Sequence, residues 1–164
     1  MAGVSGTGKS AFPKLYAQSM GLHFLPLAVE PRWDSPQDLF GFLNYMENRF
    51  EATTLGRSLV QFDNSPFCSP HANMNDQILL VLLDEMNLAR IEYYFSEFLS
   101  KLELRRQVED RDIPSDREKA EIELDAGPGK DLRFRLWIPH NVLFVGTMNE
   151  DETTQTLSDK VLDR

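Results

Sequence analysis

Gly3, Gly8, Lys9 and Ser10 stand in the spacing Gly-x-x-x-x-Gly-Lys-Ser, with Val4, Ser5, Gly6 and Thr7 between the two outer glycines. Glycines so placed let backbone N–H groups turn inward around an anion, and a helix starting directly afterwards points its positive dipole end at the same spot. Lys9 would then neutralise outer phosphates, and the Ser10 hydroxyl would ligate Mg²⁺. Far along the chain the apolar run Ile78-Leu79-Leu80-Val81-Leu82-Leu83 ends in Asp84-Glu85. Acids that end a buried strand lie at the carboxyl edge of a parallel sheet, where open α/β sheets bind their ligands. Asp84 would hold Mg²⁺ through water, and Glu85 would polarise an attacking water. A third polar group, Asn149, follows the apolar run Val142-Leu143-Phe144-Val145 after Gly146-Thr147-Met148. At the tip of a neighbouring strand, its amide is a candidate contact to a γ-phosphate or to the lytic water. The three elements together predict a binder of nucleoside triphosphates.

Elements that can position these groups alternate along the chain. Residues 9–20 read as a helix, with Pro13 at the limit of its first turn. Residues 24–29 read as a strand, and Pro26 assigns that strand to an edge. Residues 33–50 are mixed, punctuated by Pro31 and Pro36, with one short helix from Gln37. Residues 54–62 read as helical and 64–76 as loop. Residues 78–83 are apolar without alternation, the pattern of a strand buried on both faces, and 142–145 form a second one. Leu88, Ile91, Phe95, Phe98, Leu99 and Leu102 fall at helical spacing and predict one amphipathic helix of about four turns. Residues 101–135 hold nine basic and ten acidic side chains, which reads as a solvated excursion. Within it Ile122 and Leu124 alternate with acids, and Leu132, Phe134 and Leu136 alternate with Arg133 and Arg135. The turn Gly127-Pro128-Gly129 between them completes a β-hairpin signal.

Composition bounds the class. The 164 residues, 41% of them hydrophobic, suffice for one domain with a core. With 17 Lys+Arg against 26 Asp+Glu the net charge is −9, which argues against nucleic-acid binding by this segment alone. A single cysteine, Cys68, excludes a disulfide framework and a Cys-based zinc cage. Cys68 and His71 in a Pro-flanked loop, with His23 and His140 the remaining histidines, read as plain loop. Trp33 is expected to pack near the edge strand and Trp137 on the hairpin face, rather than to serve as base-stacking platforms. No run approaches the ~18 apolar residues of a membrane span, and no basic segment precedes an apolar one as in a secretory leader, so the expected location is cytoplasmic. Met1-Ala2 leave no room for a strand before the glycine loop, and the chain stops at Val161-Leu162-Asp163-Arg164, inside a short helix capped by Ser158. The expectation is a domain truncated at both ends, whose loop lacks the entry strand that would preorganise it.

Gly3–Ser10, the string Leu83-Asp84-Glu85-Met86-Asn87-Leu88-Ala89-Arg90, and Gly146-Thr147-Met148-Asn149 followed by Val161–Arg164 resemble the AAA+ ATPases. Within that class they are most similar to the McrB-type motor subunits of modification-dependent restriction systems and the related dynein-like AAA domains. The resemblance covers essentially the whole chain. It implies an α/β fold: a P-loop NTPase of three layers on a five-stranded parallel sheet, with the glycine-loop strand central and the Pro26 strand at the edge. The first strand and the helical lid would be missing, and residues 1–164 would form a single partial nucleotide-binding domain. Residues 107–139 would be a charged hairpin insertion within it, just before the sensor strand. By the same resemblance Asn149 is the sensor residue and Arg164 the finger that reaches a neighbouring subunit's nucleotide. The cofactors implied are ATP or GTP with Mg²⁺. The partners implied are a ring of like subunits, hexameric by resemblance, an endonuclease subunit, and DNA reached through other domains, with no membrane. McrB proteins carry an Asn-x-x-Asp string at the sensor, linked to their use of GTP. Here the string is Asn149-Glu150-Asp151-Glu152, and the Glu at the Asp position favours ATP.

Other readings share some of these residues. A P-loop kinase would also use Gly3–Ser10, although the pairing of Asp84-Glu85 with Asn149 favours hydrolysis. A GTP-specific McrB-type motor stays open, as does a non-catalytic nucleotide-binding remnant that serves as an interaction module.

Overall fold

A computed structural model describes residues 1–4, 6–63, 74, 76–110, 113–125, 127 and 133–149. The chain opens on a two-residue strand, β1 (Ala2–Gly3), and continues through α1 (Ala11–Met20), β2 (His23–Ala28), α2 (Pro36–Phe40), β3 (Gly41–Asn44), β4 (Arg49–Ala52) and α3 (Thr54–Phe62). It then runs through β5 (Leu79–Asp84), a 3₁₀ turn (Met86–Leu88), α4 (Ile91–Tyr94), α5 (Ser96–Arg105), α6 (Pro114–Arg117) and a second 3₁₀ turn (Glu118–Ala120). The last elements are β6 (Ile122–Asp125), β7 (Arg133–Leu136), β8 (Val142–Gly146) and β9 (Met148–Asn149). No helix among the described residues is long and apolar enough to cross a membrane.

The apolar runs build the parallel sheet that the sequence predicts. β5 lies between β2 and β8, both parallel to it, with Leu82 opposite Pro26 and Val145. Pro26 is tolerated because β2 is the edge. The N–H groups of His23 and Val29 donate toward β5, so by alternation the position of Pro26 faces the open side. β9 prolongs β8 past Thr147, whose N–H still donates to the Leu83 carbonyl on the β5 side at 2.9 Å. On its other side β9 pairs in parallel with β1. The order across the fold is therefore β2, β5, β8 with β9, and β1. One expectation is corrected here. A strand does precede the glycine loop: Met148 donates to the Met1 carbonyl at 2.9 Å, and the Met1 ammonium donates to the Gly146 carbonyl at 2.8 Å. A two-residue strand, with Met1 before it, suffices because the neighbouring strand supplies a ready row of acceptors and donors. Among the described residues this parallel arrangement holds four strands.

Leu79, Val81 and Leu83 are buried among Leu55, Leu59, Ile91, Tyr94 and Phe98. Phe98 is the hub of an aromatic cluster, with Phe144 of β8 at 4.6 Å edge-on, Phe95 at 4.7 Å and Phe40 of α2 at 5.9 Å between ring centroids. Trp33 packs edge-on to Tyr94 at 5.5 Å. The single helix expected from Leu88 to Leu102 is instead a 3₁₀ turn and two helices, interrupted at Arg90 and at Phe95. Apolar spacing persists across both interruptions, so periodicity alone could not show them. The mixed segment 33–50 also hides a hairpin. β3 and β4 pair antiparallel, Asn44 Oδ1 accepts the N–H groups of Met46 and Glu47, and Asn48 takes a left-handed φ of 47°. The turn is built from asparagines rather than glycine, which is why it was missed.

The charged segment 101–135 is not simply solvated. β6 and β7 pair antiparallel within it, and Arg117 of α6 is 4% exposed. Its guanidinium donates to Asp63, at the end of α3, and to Glu121, and lies 5.2 Å over the ring of Trp137. Trp137 is itself 1% exposed, which removes it as a base-stacking platform. Burial alone would lower the Arg117 pKa, but the hydrogen bonds to Asp63 and Glu121 outweigh it and keep the group charged. Glu118, Glu123, Arg133 and Arg135 form a second, surface network, worth little to stability. Arg117→Lys is expected to lower stability by about 1–3 kcal/mol, because a single ammonium cannot reproduce the planar fork between two buried carboxylates. Urea denaturation would read this as a lower midpoint at unchanged slope, and an unchanged midpoint would show that the fork is dispensable.

Candidate functional site

The glycine loop leaves β1 and closes on itself before α1 begins. Gly6 and Gly8 hold φ values of 83° and 78°, left-handed backbone that costs other residues about 1–2 kcal/mol. The Thr7 hydroxyl donates to the Val4 carbonyl at 2.9 Å. Lys9 Nζ folds back over the loop and donates to the carbonyls of Gly3 at 2.8 Å and Val4 at 2.7 Å. The Gly8 carbonyl accepts from Ala11 and Phe12, which starts α1. Ser10 occupies the N-cap position without capping, and the first turn of α1 carries no acid. The positive end of the helix thus carries no acid in its own first turn, and its backbone N–H groups suit an anion.

The Ser10 hydroxyl spans 74 positions of sequence and donates to Asp84 Oδ1 at 2.6 Å. Asp84 closes β5, and the chain then turns at Glu85 in left-handed conformation, φ 57° and ψ 48°. That conformation is unfavourable for a residue with a Cβ, and Thr147 compensates. Its hydroxyl accepts the Glu85 N–H at 2.9 Å and donates to Asp84 Oδ1. On the far side of Glu85, Asn149 Nδ2 donates to Glu85 Oε1 at 2.7 Å. The 3₁₀ turn after Glu85 is held by three contacts. Met86 N–H donates to the Thr147 carbonyl at 2.9 Å, the Tyr94 hydroxyl donates to the Met86 carbonyl at 3.0 Å, and Asn87 bonds to the backbone of Asn149. Burial, with Glu92 nearby, raises the Tyr94 pKa far above the ordinary phenol value, so its hydroxyl remains a donor.

The tertiary structure therefore brings Lys9, Ser10, Asp84, Glu85 and Asn149 to one edge of the sheet, with Gly3, Val4, Gly6, Thr7 and Gly8 forming the loop beside them. Ser5, Cys68, His71, the string 150–152 and Arg164 lie outside the described residues. Thr147, Asn87 and Tyr94 are the members that sequence reasoning missed. Thr147 was legible in one respect. Leu83 pairs with Gly146, so the next residue on each strand brings Thr147 beside Asp84, a register available from aligning the ends of the two apolar runs. Nothing in the spacing of Asn87 or Tyr94 marked them.

The donor set is specific in its chemistry. A hydroxyl and a carboxylate are hard oxygen ligands suited to Mg²⁺, which commonly completes its shell with phosphate oxygens and water. Among the described residues no group of three or more His, Cys, Asp or Glu stands close enough to hold a metal by itself. An ammonium beside an uncapped helix N-terminus suits a polyphosphate, and a carboxylate facing an amide suits an ordered water. Gly146 shows how tightly the edge is built, since a Cβ there would lie 2.0 Å from Met86 Sδ. Gly146→Ala is expected to cost about 1–3 kcal/mol by overpacking against the turn that carries Glu85. Thermal unfolding of the variant checks this, and an unchanged Tm would mean that Met86 has room to move.

The fold and the site together define a mixed α/β domain on a parallel sheet, with a glycine loop, an acidic strand end and a polar strand tip along one edge. No family model matches the chain, and no curated protein matches it. Among solved structures it is similar to that of a "putative ATPase" from Cytophaga hutchinsonii, with 18% identity and a TM-score of 0.49 over 99% of this chain. The chain spans 38% of the length of that protein.

Proposed function

We propose that this chain is the nucleotide-binding module of an AAA+ P-loop triphosphatase that binds Mg-ATP and hydrolyses it. One observation carries the reading. Two pairs distant in sequence, Ser10 with Asp84 and Glu85 with Asn149, are each hydrogen-bonded, and both stand at the same carboxyl edge. In this reading a triphosphate draws Lys9 off the loop carbonyls, and the amides of the glycine loop and of the start of α1 take its oxygens. Ser10 and Asp84 would hold Mg²⁺, which supplies charge neutralisation on the phosphates. Glu85 orients the attacking water, and Asn149 fixes the Glu85 carboxylate. Such an arrangement supports hydrolysis over transfer to a second substrate, because a carboxylate held by an amide can orient a water. The finer assignment rests on the strings shared with McrB-type motors. It is a cytoplasmic module of a hexameric ring that drives an endonuclease partner on DNA through other domains, with Arg164 as the finger in trans.

ATP is the proposed nucleotide. Lys9, Ser10 and Asp84 cannot distinguish purines, because the phosphates are identical. The preference rests on Glu152, one methylene longer than the Asp of the GTP-using relatives, which displaces its carboxylate beyond the ~0.5 Å tolerance of a preorganised contact. Competition between ATP and GTP in steady-state hydrolysis by the full-length protein tests it. The expected result is a higher kcat/KM for ATP. A tenfold preference for GTP, about 1.4 kcal/mol, would restore the GTP-specific reading.

A further inference from the structure

Asn87 is 5% exposed, and its side chain is committed to one residue. Nδ2 donates to the Asn149 carbonyl at 2.7 Å, and Oδ1 accepts the Asn149 N–H at 3.3 Å. A neighbouring strand would offer the same donor and acceptor pair. β5 offers none at this level, because it ends at Asp84 and the backbone swings away through the left-handed Glu85. Asn87 thus continues the ladder with a side chain where the backbone has left it.

The consequence is a closed circuit of contacts. Glu85 leads through the turn to Asn87, Asn87 grips the backbone of Asn149, and the Asn149 amide returns to Glu85 Oε1 at 2.7 Å. The turn is tied to the core through the Tyr94 hydroxyl on the Met86 carbonyl. A shift of the Glu85 turn therefore carries the tip of β9 with it, and the carboxylate and amide keep their mutual placement. We infer that Asn87 is a positioning residue that holds the Asn149 amide on the Glu85 carboxylate, acting through the Asn149 backbone without touching substrate. This rests on the proposed reading of Glu85 and Asn149 as the water-orienting pair. Only an amide of this length meets both needs. Asp retains the acceptor but sets a carboxylate against the Asn149 carbonyl, and Ala removes both contacts.

The test uses the full-length protein with Asn87→Ala, Asn87→Asp, Asn149→Ala and the double variant Asn87→Ala/Asn149→Ala. In the nucleotide-free protein, Asn87→Ala is expected to speed hydrogen exchange of the Asn149 amide by about tenfold or more, while the β5 amides of Val81 and Leu82 keep their protection. Both Asn87 variants are expected to bind Mg-ATP within about threefold of wild type and to lose about 10–100-fold in kcat, the usual effect of removing a group that orients a reacting one. The double variant is expected to be no slower than Asn149→Ala, because Asn87 acts through that residue. Multiplying losses, an unchanged Asn149 exchange rate, or a loss of β5 protection in both Asn87 variants would each overturn the inference, the last by making the role merely structural. Failure of the underlying reading is separate: wild type would then not bind Mg-ATP, or Glu85→Gln would leave turnover intact.

Discussion

Lys9→Ala is expected to weaken Mg-ATP binding by roughly 10²–10⁴-fold, beyond what calorimetry detects at ordinary concentrations. The Lys9 ammonium is the cation at the loop, held 2.8 and 2.7 Å from the carbonyls of Gly3 and Val4. When a triphosphate takes those contacts over, two charge-assisted hydrogen bonds at about 1.5–3 kcal/mol each are at stake. At about 1.4 kcal/mol per tenfold, they give the stated range. Stability should hardly move, within about 0.5 kcal/mol, because Val4 is exposed and water can replace the ammonium on the loop carbonyls. Calorimetric titration with Mg-ATP beside a thermal melt separates the two effects. Near-normal affinity in the variant would mean that the loop does not hold the phosphates.

Glu85→Gln is expected to keep Mg-ATP affinity within a few fold and to lower turnover by about 10²–10⁴-fold. The exchange is nearly isosteric. A Gln side-chain oxygen can still accept from Asn149 Nδ2, and the Glu85 backbone N–H stays on Thr147, so the turn survives. In the proposed reading, what disappears is the negative charge that draws a proton from the attacking water, a contribution made in the transition state and not in the bound ground state. Single-turnover hydrolysis with enzyme in excess measures the chemical step without product release. Hydrolysis at the wild-type rate would remove Glu85 as the water-orienting base and leave the edge a binding site only. In the proposed reading the two variants would separate the part of the site that binds from the part that turns over.

Much of this protein is legible in its residues because the relevant signals are local. Gly3–Ser10 specifies its own turn, since left-handed backbone at Gly6 and Gly8 is a property of glycine itself. The run 78–83 declares a buried strand because an unbroken apolar segment must hide both faces, and Leu79–Leu83 are buried, whereas 142–145 forms a strand of which only Val142 is buried and Leu143 is 46% exposed. Pro26 declares an edge because it lacks a donor. Thr54–Phe62 emerges with the bounds its composition implies, capped by the Thr53 hydroxyl on the Gly56 N–H at 3.1 Å. Where the outcome depended on what lies opposite in space, the sequence was silent or misleading. Arg117 sits in a stretch dense with charge that reads as solvated. It is buried against Glu121 of the same stretch, with Asp63, 54 positions earlier, and Trp137 folded onto it. The helix after Glu85 breaks while keeping its apolar spacing, because the turn must bring Met86 against Gly146 and Asn87 against Asn149. Asn87 and Thr147 are short polar residues without a pattern, and their roles exist only once two parallel strands end side by side. Side-chain type and backbone permission are written along the chain, whereas the hydrogen-bond partners of a buried polar group are set by register between strands. That register is a long-range property, decided when the sheet closes.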